Sequence, residues 1–337
     1  MKRKQAITAK DIAAACGVSQ ATVSYVLNNK PGKKIGADTR TAILETAHRL
    51  GYIPSATARS MRTSRAMSIG IVSGGNSINI GFNHALRGIK SCLDQAGYSI
   101  LLLNSEGSEP EETEYIRAYC SGRIDGVLFL FCDQQDSVVE LLDQRQIPWL
   151  SVNENGVAAS GTERPHAFEH AVQQAAEFCR ERKYRNIRFF SLKYGDTLYS
   201  YKYDLFADAL EEVYPEASLR RIIIQSENLT NEDLKERLSG YLAAEDFQLS
   251  VTPNQRLGWL MQSCILERDF FLPQKIKHIC LASSHVFHLT YPTVTSIDIP
   301  LTAMGEFAAR QLVRILEGES LEEQEFSCVL KEGDSTL

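Results

Sequence analysis

From Met67 onward the chain alternates short apolar runs with stretches of helical periodicity, and it does so in two rounds. That alternation leaves few folds open. Strand, helix and strand in succession build right-handed βαβ units, and hence a parallel sheet with helices on its faces. In the first round strands are expected at 67–72, 99–103, 126–131 and 148–152, with helices at 83–96, 110–121 and 136–144. In the second round helices are expected at 166–183, 203–213, 232–242 and 257–269. The strands between them fall at 187–191, 220–224, 248–251 and 276–281. Two such halves predict a hinged pair of lobes, with a ligand crevice at the carboxyl ends of the strands. The most apolar run, Val127 to Cys132, fits a buried strand and falls well short of the roughly 18 residues needed to span a bilayer.

The first 66 residues follow a different plan. Thr8-Ala-Lys-Asp11 is a capping-box-like start, in which a hydroxyl can accept an otherwise unpaired N–H and a carboxylate sits three residues on. Ile12, Ala13, Ala15 and Cys16 offer a small apolar face, and Gly17 supplies the positive φ that ends a helix. Ser19 caps a second helix, with Val23, Val26 and Leu27 directed inward. A third helix is expected over 39–50, carrying Ile43, Leu44, Ala47 and Leu50. Helix, tight glycine turn and helix is the helix-turn-helix plan, whose second helix enters the major groove. A plain three-helix bundle is the alternative, but packing alone needs neither a polar second helix nor the charge this segment carries.

The overall net charge of −6 argues against a nucleic-acid partner only until it is divided. Residues 1–66 contain twelve Lys and Arg against three acidic residues, a net of +9, which leaves −15 on the remainder. A compact basic module on an acidic body is an electrostatic footprint for a polyanion. The length of 337 residues fits two or three domains at about 100–200 residues each.

The N-terminal motifs resemble the DNA-binding domain of the LacI/GalR family of bacterial transcription regulators. The resemblance rests on Thr8-Ala-Lys-Asp-Ile-Ala13, Gly17-Val-Ser-Gln-Ala-Thr-Val-Ser24 and Val26-Leu-Asn28. Thr39-Arg40 and Gly51-Tyr-Ile-Pro54 add to it. It implies an all-α helix-turn-helix domain at 1–53 and a hinge helix or linker at 54–66. It also implies a two-lobed α/β domain at 67–337, like the periplasmic binding proteins, with doubly wound parallel sheets. Lobe 1 is expected at 67–155 and 295–318, and lobe 2 at 156–290 and 320–333. The segment 292–300 would cross back to the first lobe, and 326–330 would return to the second. By the same resemblance Gln20, Ala21 and Tyr25 face base edges, while Thr8, Ser19, Thr22, Ser24 and Asn28 lie near phosphates. Small hydroxyl and amide groups near helix starts suit that second task. Tyr25 stands where the family usually has Arg, and Tyr cannot form the bidentate pair that Arg makes with guanine, so the preferred half-site should differ there.

The hinge stretch 54–63 is too short and too evenly polar for a stable isolated helix. The resemblance implies that it folds on operator DNA, pairs with its copy in a dimer and inserts an apolar wedge into the minor groove. Met61 occupies the wedge position, Arg59 lies beside it, and Ser55 replaces the family's usual Asn. In the body, sugar-responsive relatives carry an Arg before a Gly-Phe pair, an Asn-Asp after a strand and a Gly-Phe-Asp, where this chain has Lys202 before Leu205-Phe206, Asn254-Gln255 and Ser283-Ser284. A Lys is a point donor and not a planar fork, so recognition of neighbouring hydroxyls is weakened. Strand-end candidates for the crevice are Ser73, Asn76, Asn104, Asp133, Asn153, Lys202, Gln255 and Ser283. Tyr194, Tyr199, Tyr201 and Tyr203 cluster nearby, as stacking surfaces or as half-buried anchors.

Enzyme chemistry finds no foothold: G-x-S-x-G, G-x-x-x-x-G-K-[ST], H-E-x-x-H and G-x-G-x-x-G are all missing. No cofactor or metal is expected. The His166/His170 and His285/His288 pairs lack companions at ligand spacing, and the histidines are expected to be partly exposed and satisfied by water. Eight singly placed cysteines read as buried thiols of a reducing compartment. The basic start lacks an apolar core behind it, so a cytoplasmic location is expected and a periplasmic binding protein is not. The sequence-level expectation is a regulator, most simply a repressor, that binds a palindromic double-stranded DNA operator as a homodimer. The dimer is preferred to a tetramer because no heptad tail follows Thr336. A small-molecule effector or a partner protein would act through the body, and no membrane is involved.

Overall fold

The computed structural model describes residues 7–27, 35–52, 65–73, 80–104, 113–132, 136–159, 166–194, 197–198, 201–226, 229–244, 246–269, 275–282 and 285–337. The chain forms two compact units, Met1–Met67 and Ser68–Leu337. In the first, α1 (Ala9–Cys16), α2 (Gln20–Leu27) and α3 (Ala37–Leu50) enclose a core of Ile12, Ala13, Val23, Val26, Ile43 and Ala47. Gly17, at φ 64°, takes the left-handed turn that stops α1 and returns its N–H to Ala13 and Ala14 carbonyls. Two expected core positions lie outside. Ala15 is exposed and Leu44 is 47 % exposed. The reason is helical phase: Ile43, Ala47 and Leu50 recur at the i, i+4, i+7 spacing of one face, and Leu44 is rotated about 100° off it.

The second unit contains two sheets. The first runs β2-β1-β3-β4-β5, built from β1 (Ser68–Ser73), β2 (Ser99–Asn104), β3 (Gly126–Leu130), β4 (Trp149–Asn153) and β5 (Gly156–Ala159). Helices α4 (Ile80–Ala96), α5 (Glu114–Cys120) and α6 (Asp136–Gln144) connect its strands, and its core gathers Val72, Tyr115, Ile116, Val127, Phe129 and Trp149. The second sheet runs β12-β11-β10-β9-β6-β7, with β8 on β6. Its strands are β6 (Asn186–Tyr194), β7 (Thr197–Leu198), β8 (Ser218–Gln225), β9 (Leu249–Thr252), β10 (Lys277–Cys280), β11 (Thr295–Asp298) and β12 (Val329–Lys331). Helices α7 (Ala167–Glu181), α8 (Tyr201–Val213), α9 (Asn231–Ala244) and α10 (Gln255–Asp269) belong with it. The two rounds of the sequence thus give one strand order twice. Parallel β2-β1-β3-β4 is matched by parallel β8-β6-β9-β10.

Several differences from the expected layout lie at or next to the sheet edges. β5 pairs antiparallel with β4, so the first sheet continues past residue 155 to Ala159. Residues 295–298, expected in the first lobe, form β11 and pair with β10 in the second sheet. The chain crosses back only at Ile299-Pro300, after which α11 (Leu301–Glu317) packs against α4. β12 then runs antiparallel to β11. Short antiparallel edges of this kind carry no periodicity of their own, since partners far along the chain define them.

His278 also departs from expectation. It is fully buried between Thr252 (Nε2 to Oγ1, 3.0 Å) and Gln262 (Nδ1 to Oε1, 3.2 Å), and desolvation lowers its pKa to about 3. The exposed His166 pairs instead with Glu169 at 2.7 Å. All eight thiols are free; Cys179, Cys264, Cys280 and Cys328 are buried, whereas Cys120 is exposed and accepts a bond from Arg145. Among the described residues no group of three His, Cys, Asp or Glu could hold a metal ion, and no helix is long and apolar enough to cross a membrane.

Candidate nucleic-acid interface and ligand crevice

In the N-terminal unit the helix starts are fixed by their own side chains. The Asp11 carboxylate receives both the Thr8 N–H and the Thr8 hydroxyl at 2.7 Å, so this hydroxyl donates to the carboxylate. These bonds hold the Asp11 pKa below its ordinary 3.8. Ser19 caps α2: its Oγ accepts the Thr22 N–H at 3.1 Å and lies 2.9 Å from the Thr22 hydroxyl.

The inward stripe of α2 is Val23 and Val26. Gln20 and Ser24 form one outer row, and Ala21 and Tyr25 the next, because residues four apart share a helix face. Gln20 and Ala21 are exposed, while Thr22, Ser24 and Tyr25 are half-buried. Thr8 and Ser19 are exposed at the starts of their helices. Six sequence candidates are therefore gathered on α2 and its cap, and Thr8 stands at the start of α1. Asn28, Arg59 and Met61 lie outside the described residues.

In the larger unit, Ser73, Asn104 and Asn153 all fall at the carboxyl ends of first-sheet strands, with Ser73 opposite Asn104 in register. Asn153 Oδ1 accepts the Asn155 N–H at 2.9 Å and so shapes the β4–β5 turn. Gln255 is the half-buried first residue of α10, and its neighbour Asn254 caps that helix through Oδ1 to the Leu257 N–H at 2.9 Å. Asn76, Asp133 and Ser283 lie outside the described residues, as does Tyr199. Tyr203 is an anchor: its ring meets Phe189 edge-on at 5.3 Å and carries the Arg221 guanidinium at 4.4 Å.

Lys202 is not the surface lysine its residue type suggests; its side chain is 15 % exposed. Its Nζ donates to the Pro253 and Leu281 carbonyls, each at 2.8 Å, which follow β9 and β10 directly. It also pairs with Glu154 Oε2 at 2.5 Å and lies 4.7 Å from the Phe168 ring centre. Glu154 belongs to the β4–β5 turn of the first sheet. Beside this pair the Tyr201 hydroxyl donates to Asn155 Oδ1 at 3.1 Å. Burial raises the Tyr201 pKa. Glu154 and Asn155 escape a reading of motifs, because nothing local marks two turn residues as partners of a distant helix start.

Residues 8–55 match the family model described as bacterial regulatory proteins, lacI family. The chain is 25 % identical to the HTH-type transcriptional regulator RegA of Clostridium saccharobutylicum, over 95 % of this chain and 96 % of that protein. It is 24 % identical to catabolite control protein A of Staphylococcus epidermidis, over 94 % of each. Among solved structures, a Lac repressor dimer bound to operator and the anti-inducer ONPF superimposes with a TM-score of 0.74, at 17 % identity, covering 99 % of this chain and 100 % of that one. A lacI-family regulator from Silicibacter pomeroyi gives 0.69 at 21 % identity, over 98 % and 99 %. The two-lobed architecture is therefore that of the lacI-type regulators, which are transcription factors and not enzymes. The N-terminal module thus matches the lacI family of bacterial regulatory proteins, and the chain is similar to these regulators along nearly its whole length.

Proposed function

We propose that the protein is a cytoplasmic repressor that binds a roughly palindromic DNA operator as a homodimer. The observation that supports this most directly is the outer face of α2, where Gln20, Ala21, Ser24 and Tyr25 surround a helix start capped by Ser19. One helix touches too few base pairs to specify a site, and a second copy doubles the contacts while imposing two-fold symmetry on the DNA. In this reading Gln20, Ala21 and Tyr25 read base edges. Thr8, Ser19, Thr22, Ser24 and Asn28 engage phosphates, with Arg59 and Met61 acting from the hinge in the minor groove. A Lac repressor dimer has been solved on its operator, which supports the same arrangement here. Selection of bound sites from random DNA, followed by footprinting, tests it. An inverted repeat protected on both halves is expected, with affinity falling steeply as salt rises. A single asymmetric half-site, or binding indifferent to salt, overturns it.

The two-lobed body modulates DNA affinity through its crevice, taking an anionic or amide-bearing metabolite or a partner protein. Ser73, Asn76, Asn104, Asp133, Asn153, Lys202, Gln255 and Ser283 are the candidate lining. A thermal-shift panel of metabolites separates the readings: stabilisation by an acid or amide supports a small effector, and none supports a protein partner or constitutive DNA binding.

A further inference from the structure

The crevice of an open parallel sheet takes its ligand at the carboxyl ends of the strands, and in the second sheet that place already holds a cation. The Lys202 ammonium stands at the ends of β9 and β10, on the Pro253 and Leu281 carbonyls. An ammonium has three N–H donors. Two of them go to these carbonyls, and the Glu154 carboxylate pairs with the charge at 2.5 Å. Two of those acceptors belong to the second lobe, and the third is a side chain from the turn of the first.

Other bonds bring the same turn to the same lobe. Asn155 Oδ1 accepts from the Tyr201 hydroxyl, and the Asn155 carbonyl accepts the Ala167 N–H at 3.2 Å at the start of α7. The Cys328 thiol lies 3.7 Å from the Glu154 carbonyl oxygen. Against this frame the Glu154 side chain supplies one thing the others do not, a negative charge on the crevice cation.

We propose that Glu154 is a built-in ligand: the crevice has an anion position at Lys202, and the chain's own carboxylate fills it, clamping the lobes together without an effector. A tethered carboxylate has a high effective concentration at a site within its reach. A free carboxylate or phosphate must therefore displace Glu154 to reach Lys202, and a neutral polyol brings no charge to do so. This goes beyond the DNA-binding reading, and its test does not involve DNA, so either can fail alone.

The test is amide hydrogen exchange on the full-length chain, comparing wild type, Glu154→Ala and Lys202→Met. Each variant is measured in sodium acetate and in sodium chloride of equal ionic strength. Expected is at least about a tenfold faster exchange at 154–159 and 201–205 in both variants, with β1 and β6 unchanged as internal controls for folding. Acetate, but not chloride, slows exchange again in Glu154→Ala by filling the vacated position, and has no such effect in Lys202→Met or wild type. Unchanged exchange in Glu154→Ala overturns the clamp. Faster exchange that acetate and chloride affect equally overturns the anion position.

Discussion

Gly88 and Thr302 meet where α4 crosses α11, so closely that a Cβ on Gly88 would overlap the Thr302 carbonyl oxygen. Gly305 of α11 stands in the same relation to Ala85 of α4. This crossing attaches the returning C-terminal segment to the first sheet. Gly88→Ala is therefore expected to destabilise the larger unit by about 1–3 kcal/mol, the usual cost of overpacking. Gly240 provides the contrast: it is exposed within α9 and nothing lies within 4 Å of a Cβ there. Gly240→Ala should stabilise by roughly 0.5–1 kcal/mol. Urea unfolding of both variants checks the opposite signs.

His278 is expected to stay neutral across the physiological range, since burial lowers its pKa to about 3. An unfolded histidine takes up a proton near 6.5, so stability falls as pH drops from there toward about 3. At pH 5 this single group should cost about 2 kcal/mol relative to pH 8. Its ring resonances, followed by NMR, should not shift between pH 8 and 5; a midpoint near 6.5 contradicts its burial.

Asp11 behaves in the opposite sense at the start of α1. The Thr8 bonds depress its pKa, so the stabilisation is fully present above 3.8 and disappears as pH falls through the lower, folded value. Thr8→Ala removes the hydroxyl and should move the carboxyl resonance of Asp11 back toward 3.8 in an NMR titration.

Ser19→Ala removes the oxygen that receives the Thr22 N–H, and should lower the stability of the N-terminal unit by about 1 kcal/mol. Circular dichroism melting of that variant measures the loss.

For DNA, Gln20→Ala and Tyr25→Ala should change the preferred sequence, each costing about 1–3 kcal/mol at the base it reads. Lys2→Ala should instead weaken all sequences alike and reduce the salt slope by about one unit. A Tyr25→Ala protein that selects the same sites as wild type contradicts the base-reading role.

The N-terminal unit was legible because its determinants are local. Asp11, Gly17 and Ser19 sit within a few residues of the backbone groups they satisfy, and Val23 and Val26 report their face through helical spacing alone. The two βα rounds were legible for the same reason, since period and strand length are written in consecutive residues. Helical phase misled at two positions, in assigning Ala15 and Leu44 to the core.

Tertiary structure decided what depends on partners far along the chain. Nothing near residues 295–298 says which sheet they join; β10 and β12 decide it. His278 gives no local sign that it will be sealed between Thr252 and Gln262. The crevice shows this most clearly. Sequence identifies Lys202 as a departure from an arginine, yet its availability depends on Glu154 of the other lobe and on the neighbouring contact between Asn155 and Tyr201, 46 residues apart. Periodicity and capping report what a residue does to its own helix or strand, whereas pairing across a crevice is set by where two lobes bring their loops together.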